Sequence, residues 1–231
     1  MPQHDATLSL AGRTAAPRAQ PIPTRVGGFG GADGLAQWLN SERIDAVIDA
    51  THPYAGEISR NAVAACAQVG VPLVSIVRSP WQVQAGDHWK NVPDTVAAAR
   101  ALGTKPRRVF LSLGRQELNV FAVAPQHHYL ARSVDAPSPI GLPPDLIVMQ
   151  ARGPFDRDGE LKLLRDENIE IVVSKNSGGS ATYAKIEAAR HLGLPVIMIA
   201  RPDKPAGHVV TSPRAALDWL DQLGPRSPRG V

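Results

Sequence analysis

The chain has 231 residues, of which 43% are hydrophobic, and its formal net charge is +4. No apolar run approaches the roughly 20 residues that span a bilayer, and the first residues lack the basic-then-apolar order of a signal peptide, so a membrane protein is not expected. The single cysteine excludes an internal disulfide and agrees with a cytoplasmic location, while the dispersed basic residues suit a small polyanionic ligand as well as nucleic acid.

The first half of the chain is predicted to alternate strands and helices. In chain order these are a strand at 6–10, a short helix after Asp33, a strand at 46–50, a helix at 56–69, a strand at 73–77 and a helix near 93–102, with an irregular stretch at 81–91. Gly70 is placed to end the second helix, and Pro72 prevents its continuation. The strands on either side of that helix are almost continuously apolar, which is typical of parallel strands covered on both faces.

The second half is predicted to hold a similar alternation. Its elements are strands at 108–113, near 128–134 and near 145–150, a helix with Leu161, Leu163 and Leu164, a strand at 169–173, a helix, an apolar strand before Arg201 and a last helix from Ser212-Pro213.

A strand-loop-helix-strand unit occurs twice, at 44–78 and at 169–201. Both copies have a Gly-x-Pro turn before their second strand, and the spacing of the copies favours two domains, 1–105 and 106–231. Loops that follow parallel strands meet at one edge of the sheet, where ligands bind in open α/β folds. The fold class is therefore predicted to be α/β, with two parallel-sheet domains and a cleft between them.

The loop of the second unit combines features that attract anions. Its candidate cleft residues are Lys175, Asn176, Ser177, Gly178 and Gly179. Glycines let the backbone approach a ligand, a helix N-terminus favours negative charge, and the lysine adds a full positive charge. The alternative is a polar connection in which Ser and Asn cap the helix.

The equivalent loop of the first unit reads Thr51-His52-Pro53-Tyr54. His52 is a candidate for contact with a cofactor phosphate or for proton transfer, and Pro53 stiffens the exit from the strand. A capped structural imidazole is the alternative. No carboxylate partner is evident in the sequence, so no catalytic residue is assigned.

Two segments near the start suggest a dinucleotide cofactor. Gly27, Gly28, Phe29 and Gly30 provide flexible backbone before a helix, although they do not form a complete Gly-x-Gly-x-x-Gly motif after a predicted strand. Ser9 lies in the strand predicted at 6–10, and Arg13 comes just after it. In dinucleotide-binding folds, a basic residue just after the second strand reads the adenosine 2′-phosphate. That residue pair favours NADPH over NADH.

Four arginines stand at or near the ends of predicted strands: Arg78, Arg132, Arg152 and Arg201. Together they would suit a ligand with many carboxylates, although each alone is compatible with a surface charge or a structural ion pair. The histidines and the cysteine lack zinc-ligand spacing, and no serine-hydrolase or P-loop motif is present. No metal site is predicted.

Several ordered motifs carry a family resemblance. They are Ser-Leu-Ala-Gly-Arg-Thr at 9–14, Gly-Gly-Phe-Gly-Gly at 27–31, Asp-Ala-Thr-His-Pro-Tyr-Ala at 49–55, Arg-Gly-Pro-Phe at 152–155, Ser-Lys-Asn-Ser-Gly-Gly at 174–179, Lys185 and the segment 195–202. From about residue 7 to residue 220 the chain resembles the precorrin-6A reductase family of cobalamin biosynthesis.

The resemblance implies two Rossmann-like domains and an NADPH-dependent reduction of one macrocycle double bond, in precorrin-6A or its cobalt-containing equivalent. Ser9, Arg13, the 27–30 segment and Thr51, His52 and Pro53 would then contact the cofactor. Tyr54, Arg78, Arg152, the 175–179 loop and Arg201 would face a polycarboxylate tetrapyrrole. No nucleic acid or membrane partner is implied.

One departure from the family pattern concerns the start of the chain. The pattern has a strand, a Gly-rich turn and a helix ahead of the segment that starts here at Ala6, where this sequence has only five residues. The missing unit would supply the central strand of the first sheet and a main pyrophosphate loop. A misplaced start codon or a truncation is the first explanation, and the chain as it stands is expected to bind NADPH poorly.

Two other functions remain open at this point. One is a non-catalytic protein of two α/β lobes that binds an anionic metabolite, since the same loops would serve it without an acid or base. The other is an enzyme of similar architecture that acts on nucleotide sugars or transfers phosphate.

Overall fold

The structure is a computed structural model that describes residues 4–12, 17–205 and 207–224. The candidate residue Arg13 lies outside these ranges. The strands are β1 (Leu8–Leu10), β2 (Thr24–Val26), β3 (Val47–Asp49), β4 (Leu73–Ile76), β5 (His88–Val92), β6 (Arg108–Ser112), β7 (His128–Ser133), β8 (Leu146–Gln150), β9 (Ile171–Lys175), β10 (Pro195–Ile199) and β11 (His208–Val210). The α-helices are α1 (Ala32–Ser41), α2 (Gly56–Val69), α3 (Thr95–Ala101), α4 (Arg157–Asp166), α5 (Ala184–His191) and α6 (Pro213–Gln222), and a 3₁₀ helix spans Arg115–Val123.

The chain divides into two compact units. The first takes its described residues from 4–78 and 202–224, and the second is continuous from Ser79 to Arg201. This division differs from the predicted one at residue 105. The physical reason is strand pairing, because β5 pairs with β10 in the second unit and β11 pairs with β4 in the first.

The second unit is built on a six-stranded sheet with the order β5-β10-β9-β6-β7-β8, and every adjacent pair in it is parallel. The central strand β9 begins Ile-Val-Val-Ser, and all four of these residues are buried. Phe110 on β6 and Ile186 on α5 are fully buried in the main core cluster. The α/β class with parallel sheets, predicted from continuous apolar strands, is therefore confirmed.

The first unit carries two smaller parallel sheets. One pairs β1 with β2, and the other has the order β11-β4-β3. Helices α1 and α2 share a core in which Leu39 and Ala65 are buried. Cys66 belongs to this core, and burial raises the pKa of its thiol to about 11. The predicted cleft and the Rossmann-like form of each half stay predictions.

Three strands were missed by sequence patterns: β2, β5 and β11. β2 reads Thr-Arg-Val and β11 reads His-Val-Val, and neither lies in a longer apolar or alternating run of the kind that predicts a strand. β5 reads His-Trp-Lys-Asn-Val and lies at an edge of its sheet, so its sequence resembles the irregular stretch that we predicted there. Each of these strands is specified by its partner rather than by its own pattern.

Gly34 permits a close approach between α1 and the preceding loop. A Cβ atom at this position would lie 1.8 Å from the carbonyl oxygen of Phe29, which is a backbone atom that cannot swing away. The backbone of the 27–31 segment therefore folds back onto the first turn of α1. No side chain larger than hydrogen fits at residue 34 without moving that segment.

We expect Gly34→Ala to destabilise the first unit. The helix propensity of alanine would add about 1 kcal/mol of stability, but the clash with Phe29 should outweigh it, for a net loss of about 1–3 kcal/mol. The measurement is the urea midpoint of unfolding. Gly207→Ala is the matched control, because a Cβ there meets nothing within 4 Å. A Gly34→Ala protein as stable as the parent would contradict the close approach.

Candidate functional site

The glycine-rich loop of the first unit follows strand β2 directly and leads into α1. Arg25 on β2 organises it. Its Nη1 donates to Ser9 Oγ over 3.0 Å and to the Gly27 carbonyl over 2.9 Å, and its Nη2 donates to the Gly28 carbonyl over 3.3 Å. The guanidinium carbon lies 3.7 Å from the centre of the Phe29 ring. The candidates Ser9, Gly27, Gly28 and Phe29 are thus brought together by an arginine that sequence reasoning missed.

The backbone of this loop is open to a ligand. A Cβ atom on Gly27, Gly28 or Gly30 would meet nothing within 4 Å, and Gly27 and Gly30 have φ values of +124° and +82°, which favour glycine. Helix α1 begins at Ala32 with Gly31 as its N-cap, and no side chain caps it. An open glycine backbone, a hydroxyl, a guanidinium and an uncapped helix start form a donor set that fits a phosphate-bearing dinucleotide.

Strand β2 lies immediately before the glycines, although the sequence patterns do not predict it. Without a preceding strand, the glycines alone do not meet the order of a dinucleotide-binding motif. The alternation of Thr24-Arg25-Val26 between Pro23 and Gly27 was the only sequence cue. The order strand, glycine loop, helix is the order found where dinucleotides bind.

A buried polar network lies beneath the Thr51–Tyr54 loop. Asp49 ends β3, and its carboxylate accepts hydrogen bonds from Ser59 Oγ at 2.6 Å and from the Thr51 backbone N–H at 3.0 Å. Lys204 Nζ lies 3.7 Å from the same carboxylate and donates to Thr51 Oγ1 over 3.1 Å. Although burial alone would raise the pKa of Asp49, these hydrogen bonds and the lysine charge lower it on balance. Asp49 is therefore an anion that helps to fix the loop.

His52 lies at the exposed tip of this loop. Its Nδ1 accepts a hydrogen bond from the Tyr54 backbone N–H at 3.3 Å, and the two rings lie 5.6 Å apart between centroids. Pro53 is buried beneath them. The Asp49 carboxylate accepts from Ser59 and Thr51. Contact of His52 with a ligand stays a prediction.

The Lys175–Gly179 loop of the second unit is anchored to the residues around Trp81. Asn176 forms two hydrogen bonds with the Trp81 backbone, accepting from its N–H at 2.7 Å and donating to its carbonyl at 3.0 Å. Trp81 Nε1 donates to the Gly179 carbonyl over 2.8 Å. A Cβ on Gly178 would lie 2.3 Å from the Ser79 carbonyl oxygen, so this position needs glycine. The loop backbone is therefore tied to the 79–81 segment by hydrogen bonds and by close packing.

Lys175 was expected to add a full positive charge to an anion site. In the structure its ammonium group forms an ion pair with Glu117. Helix α5 also begins later than the loop, at Ala184, and its N-cap Tyr183 makes no side-chain capping bond. The alternative in which Ser177 or Asn176 caps this helix is therefore wrong. The turn at 180–183 separates the loop from the helix.

The four strand-end arginines have different environments. Arg201 Nε donates to the Asn176 carbonyl over 2.7 Å and braces the loop. The Arg132 guanidinium is 8% exposed, binds both carboxylate oxygens of Glu160 and stacks on Phe155 at 3.7 Å, so it is a buried structural ion pair. Arg78 and Arg152 are exposed at the surface. The structure therefore removes Arg132 from the ligand-facing group.

Lys185 is a buried cation that sequence reasoning did not assign to a site. It is 3% exposed, its Nζ donates to the Thr182 carbonyl over 2.7 Å, and it lies 5.0 Å from the centre of the Trp81 ring. Burial is the main cause that lowers its pKa to about 7, the charge of Arg132 adds to this, and Glu160 opposes it.

Within 4–12, 17–205 and 207–224, no group of three His, Cys, Asp or Glu residues is placed to hold a metal ion. None of the helices in these ranges is long and apolar enough to cross a membrane.

Comparisons with known proteins agree on one family. The family model described as precorrin-6x reductase CbiJ/CobK matches residues 2–221. The precorrin-6A reductase of Rhodobacter capsulatus is 54% identical over 228 residues, covering 98% of this chain and 90% of that protein. The cobalt-precorrin-6A reductase of Priestia megaterium is 29% identical over 222 residues, covering 90% and 86%. A solved structure described as CobK precorrin-6A reductase is 54% identical, covers 97% of this chain and 89% of that one, and has a TM-score of 0.90.

We expect Lys185 to make the stability of the protein depend on pH. Its pKa is about 7 in the folded chain and is ordinarily 10.5, so the unfolded chain binds more protons between these values. The free energy of unfolding should therefore rise with pH above 7, by at most ~1.4 kcal/mol per pH unit, and Lys185→Met should remove that rise. Urea unfolding at pH 7, 8 and 9 measures it, with the exposed Lys90→Met as control. Equal slopes for both variants would contradict the lowered pKa of Lys185.

Proposed function

The chain belongs to the precorrin-6x reductase CbiJ/CobK family, and from this premise we propose that it reduces one macrocycle double bond of precorrin-6A to give precorrin-6B, using NADPH. The observation that carries the proposal is 54% identity, over 98% of the chain, to a protein named precorrin-6A reductase. The donor set of the glycine loop supports a nucleotide cofactor independently. The cobalt-containing ring is the alternative substrate, since cobalt-precorrin-6A reductases are also relatives.

The adenosine end of the cofactor is assigned to the ends of β1 and β2. Ser9 Oγ and the open backbone of Gly27 and Gly28 would hold phosphate oxygens, with Arg25 keeping both elements in register. Arg13 follows β1 and would read the 2′-phosphate that distinguishes NADPH from NADH. The uncapped start of α1 adds the favourable end of a helix dipole.

The nicotinamide end is assigned to the loop after β3. A reduced nicotinamide cofactor supplies the hydride when it is bound. Thr51, His52 and Pro53 would orient the ring, because the Asp49 network fixes the start of the loop and buried Pro53 fixes its turn. Positioning of this kind is the main contribution a protein makes to hydride transfer.

The substrate carboxylates need positive charge and open backbone. We assign this role to Arg78, Arg152 and Arg201, to Tyr54, and to the loop whose members are Lys175, Asn176, Ser177, Gly178 and Gly179. Lys175 would bind a carboxylate by sharing its ammonium group between that carboxylate and Glu117. Arg201 and Asn176 would act mainly through the shape of the loop, which they brace.

Anaerobic incubation with NADPH and precorrin-6A tests this function. We expect NADPH oxidation in step with a change in the absorption spectrum of the ring, because reducing one double bond shortens its conjugation. A reaction without precorrin-6A is the control for NADPH oxidation that is not coupled to substrate reduction. Binding of either compound with no oxidation would contradict an enzyme and would favour the two-lobed binding protein.

Substitution of the two arginines assigned to the cofactor region, Arg13 and Arg25, should affect cofactor affinity in different ways. Arg13→Ala should weaken NADPH by about tenfold or more and leave NADH unchanged, because only NADPH has the 2′-phosphate and charged hydrogen bonds contribute about 1.5–3 kcal/mol. Arg25→Met should weaken both cofactors, because it releases the glycine backbone that both need. Dissociation constants from calorimetry measure this. Equal selectivity of Arg13→Ala and the parent would remove Arg13 from the 2′-phosphate site.

A further inference from the structure

Lys204 lies in the segment between β10 and β11, far in sequence from the loop that its ammonium group reaches. The Lys204 side chain is 14% exposed and the Asp49 side chain is 2% exposed, so the interaction between Nζ and the carboxylate is shielded from water. Shielded charges must be well hydrogen-bonded to be tolerated. The position of the ammonium group is therefore set by Asp49 and Thr51 together, within 3.7 Å and 3.1 Å.

The hydrogen-bond directions in this network can be deduced from chemistry. An ammonium group only donates, so Thr51 Oγ1 accepts from Lys204. The ionised Asp49 only accepts, so Ser59 donates to it. The remaining contact, 3.2 Å between the Thr51 and Ser59 hydroxyls, must then run from Thr51 to Ser59. Lys204 therefore donates to the Thr51 oxygen while the Thr51 proton is directed to Ser59, so the hydroxyl has a partner on each side.

A second contact places the same segment against the loop. A Cβ on Gly56, the first residue of α2, would meet the Asp203 carbonyl oxygen at 3.7 Å and Pro202 Cγ at 3.8 Å. The 202–204 segment therefore lies beside the first residue of α2 as well as bonding to Thr51. Residues from the late part of the chain thus lie next to both elements that flank the Thr51–Tyr54 loop.

We propose that Lys204 is a positioning residue for the cofactor, which holds Thr51 in the orientation that accepts the nicotinamide half. The proposal rests on the proposed function, because the Thr51–Tyr54 loop is the nicotinamide contact there. Lys204 acts through Thr51 and need not touch the cofactor. Without the ammonium group, Asp49 loses its counter-charge and the Thr51 hydroxyl loses one of its two partners in this network.

Binding of cofactor fragments tests the proposal. Calorimetry on the full chain measures NADPH, reduced nicotinamide mononucleotide and adenosine 2′,5′-bisphosphate. We expect Lys204→Met to weaken the first two by about tenfold, the effect of about one lost hydrogen bond, and to leave the bisphosphate within about twofold. Lys204→Arg, which keeps a charged donor, should restore most of the affinity, and the exposed Lys90→Met is the control for removal of a lysine.

A double-mutant cycle separates positioning from support of the fold. If Lys204 acts through Thr51, then Lys204→Met should add almost nothing to the loss already caused by Thr51→Val. Unchanged affinity of Lys204→Met for all three ligands would overturn the proposal. Equal weakening of all three, with a lower urea midpoint, would also overturn it and would show a merely structural lysine. If the unsubstituted chain bound none of the three ligands, the proposed function itself would be refuted, and not only the role of Lys204.

Discussion

Parallel pairing is the constraint on which the rest of this structure depends. Every strand pair in the three sheets is parallel, so within each sheet all carboxyl ends point to one edge. The loops after β1, β2, β3 and β9 carry most of the assigned cofactor and substrate residues, and each begins where a strand ends. Parallel strands also need covering on both faces, and for this reason the strands could be recognised as continuous apolar runs.

The charged groups of the molecule show how such loops are fixed. Asp49 with Lys204, Glu160 with Arg132 and Glu117 with Lys175 are pairs in which each acid holds a base from a distant part of the chain. Shielded pairs add little net stability, because desolvation offsets their attraction. Their contribution here is geometric, since each pair joins elements that are distant in sequence. Lys185 is the exception, with a carbonyl and an aromatic ring as its close neighbours.

The repeated strand-loop-helix-strand units were predictable because their signals are local. The apolar runs, Gly70 and Pro72 lie next to the elements that they define, and α2 begins and ends as predicted, at 56 and 69. Strands β2, β5 and β11, the division of the chain and the contacts of Arg25 and Lys204 were not predictable. Each depends on a partner distant in sequence, such as β4 for β11 or Thr51 for Lys204. The reaction and the substrate were inferred from the family resemblance. The residue patterns without it were compatible with three functions.

The return of the chain to the first unit after Arg201, where β11 pairs with β4, has a consequence for biosynthesis. As the chain leaves the ribosome, the second unit has all six strands of its sheet once Ile199 has emerged, whereas the three-stranded sheet of the first unit still awaits His208–Val210. The first unit is therefore begun first in synthesis but completed last. Until β11 has been synthesised, the edge of β4 that it will cover has no strand partner. Protection of that nascent edge by a chaperone would matter more for this protein than for one whose domains follow each other in sequence.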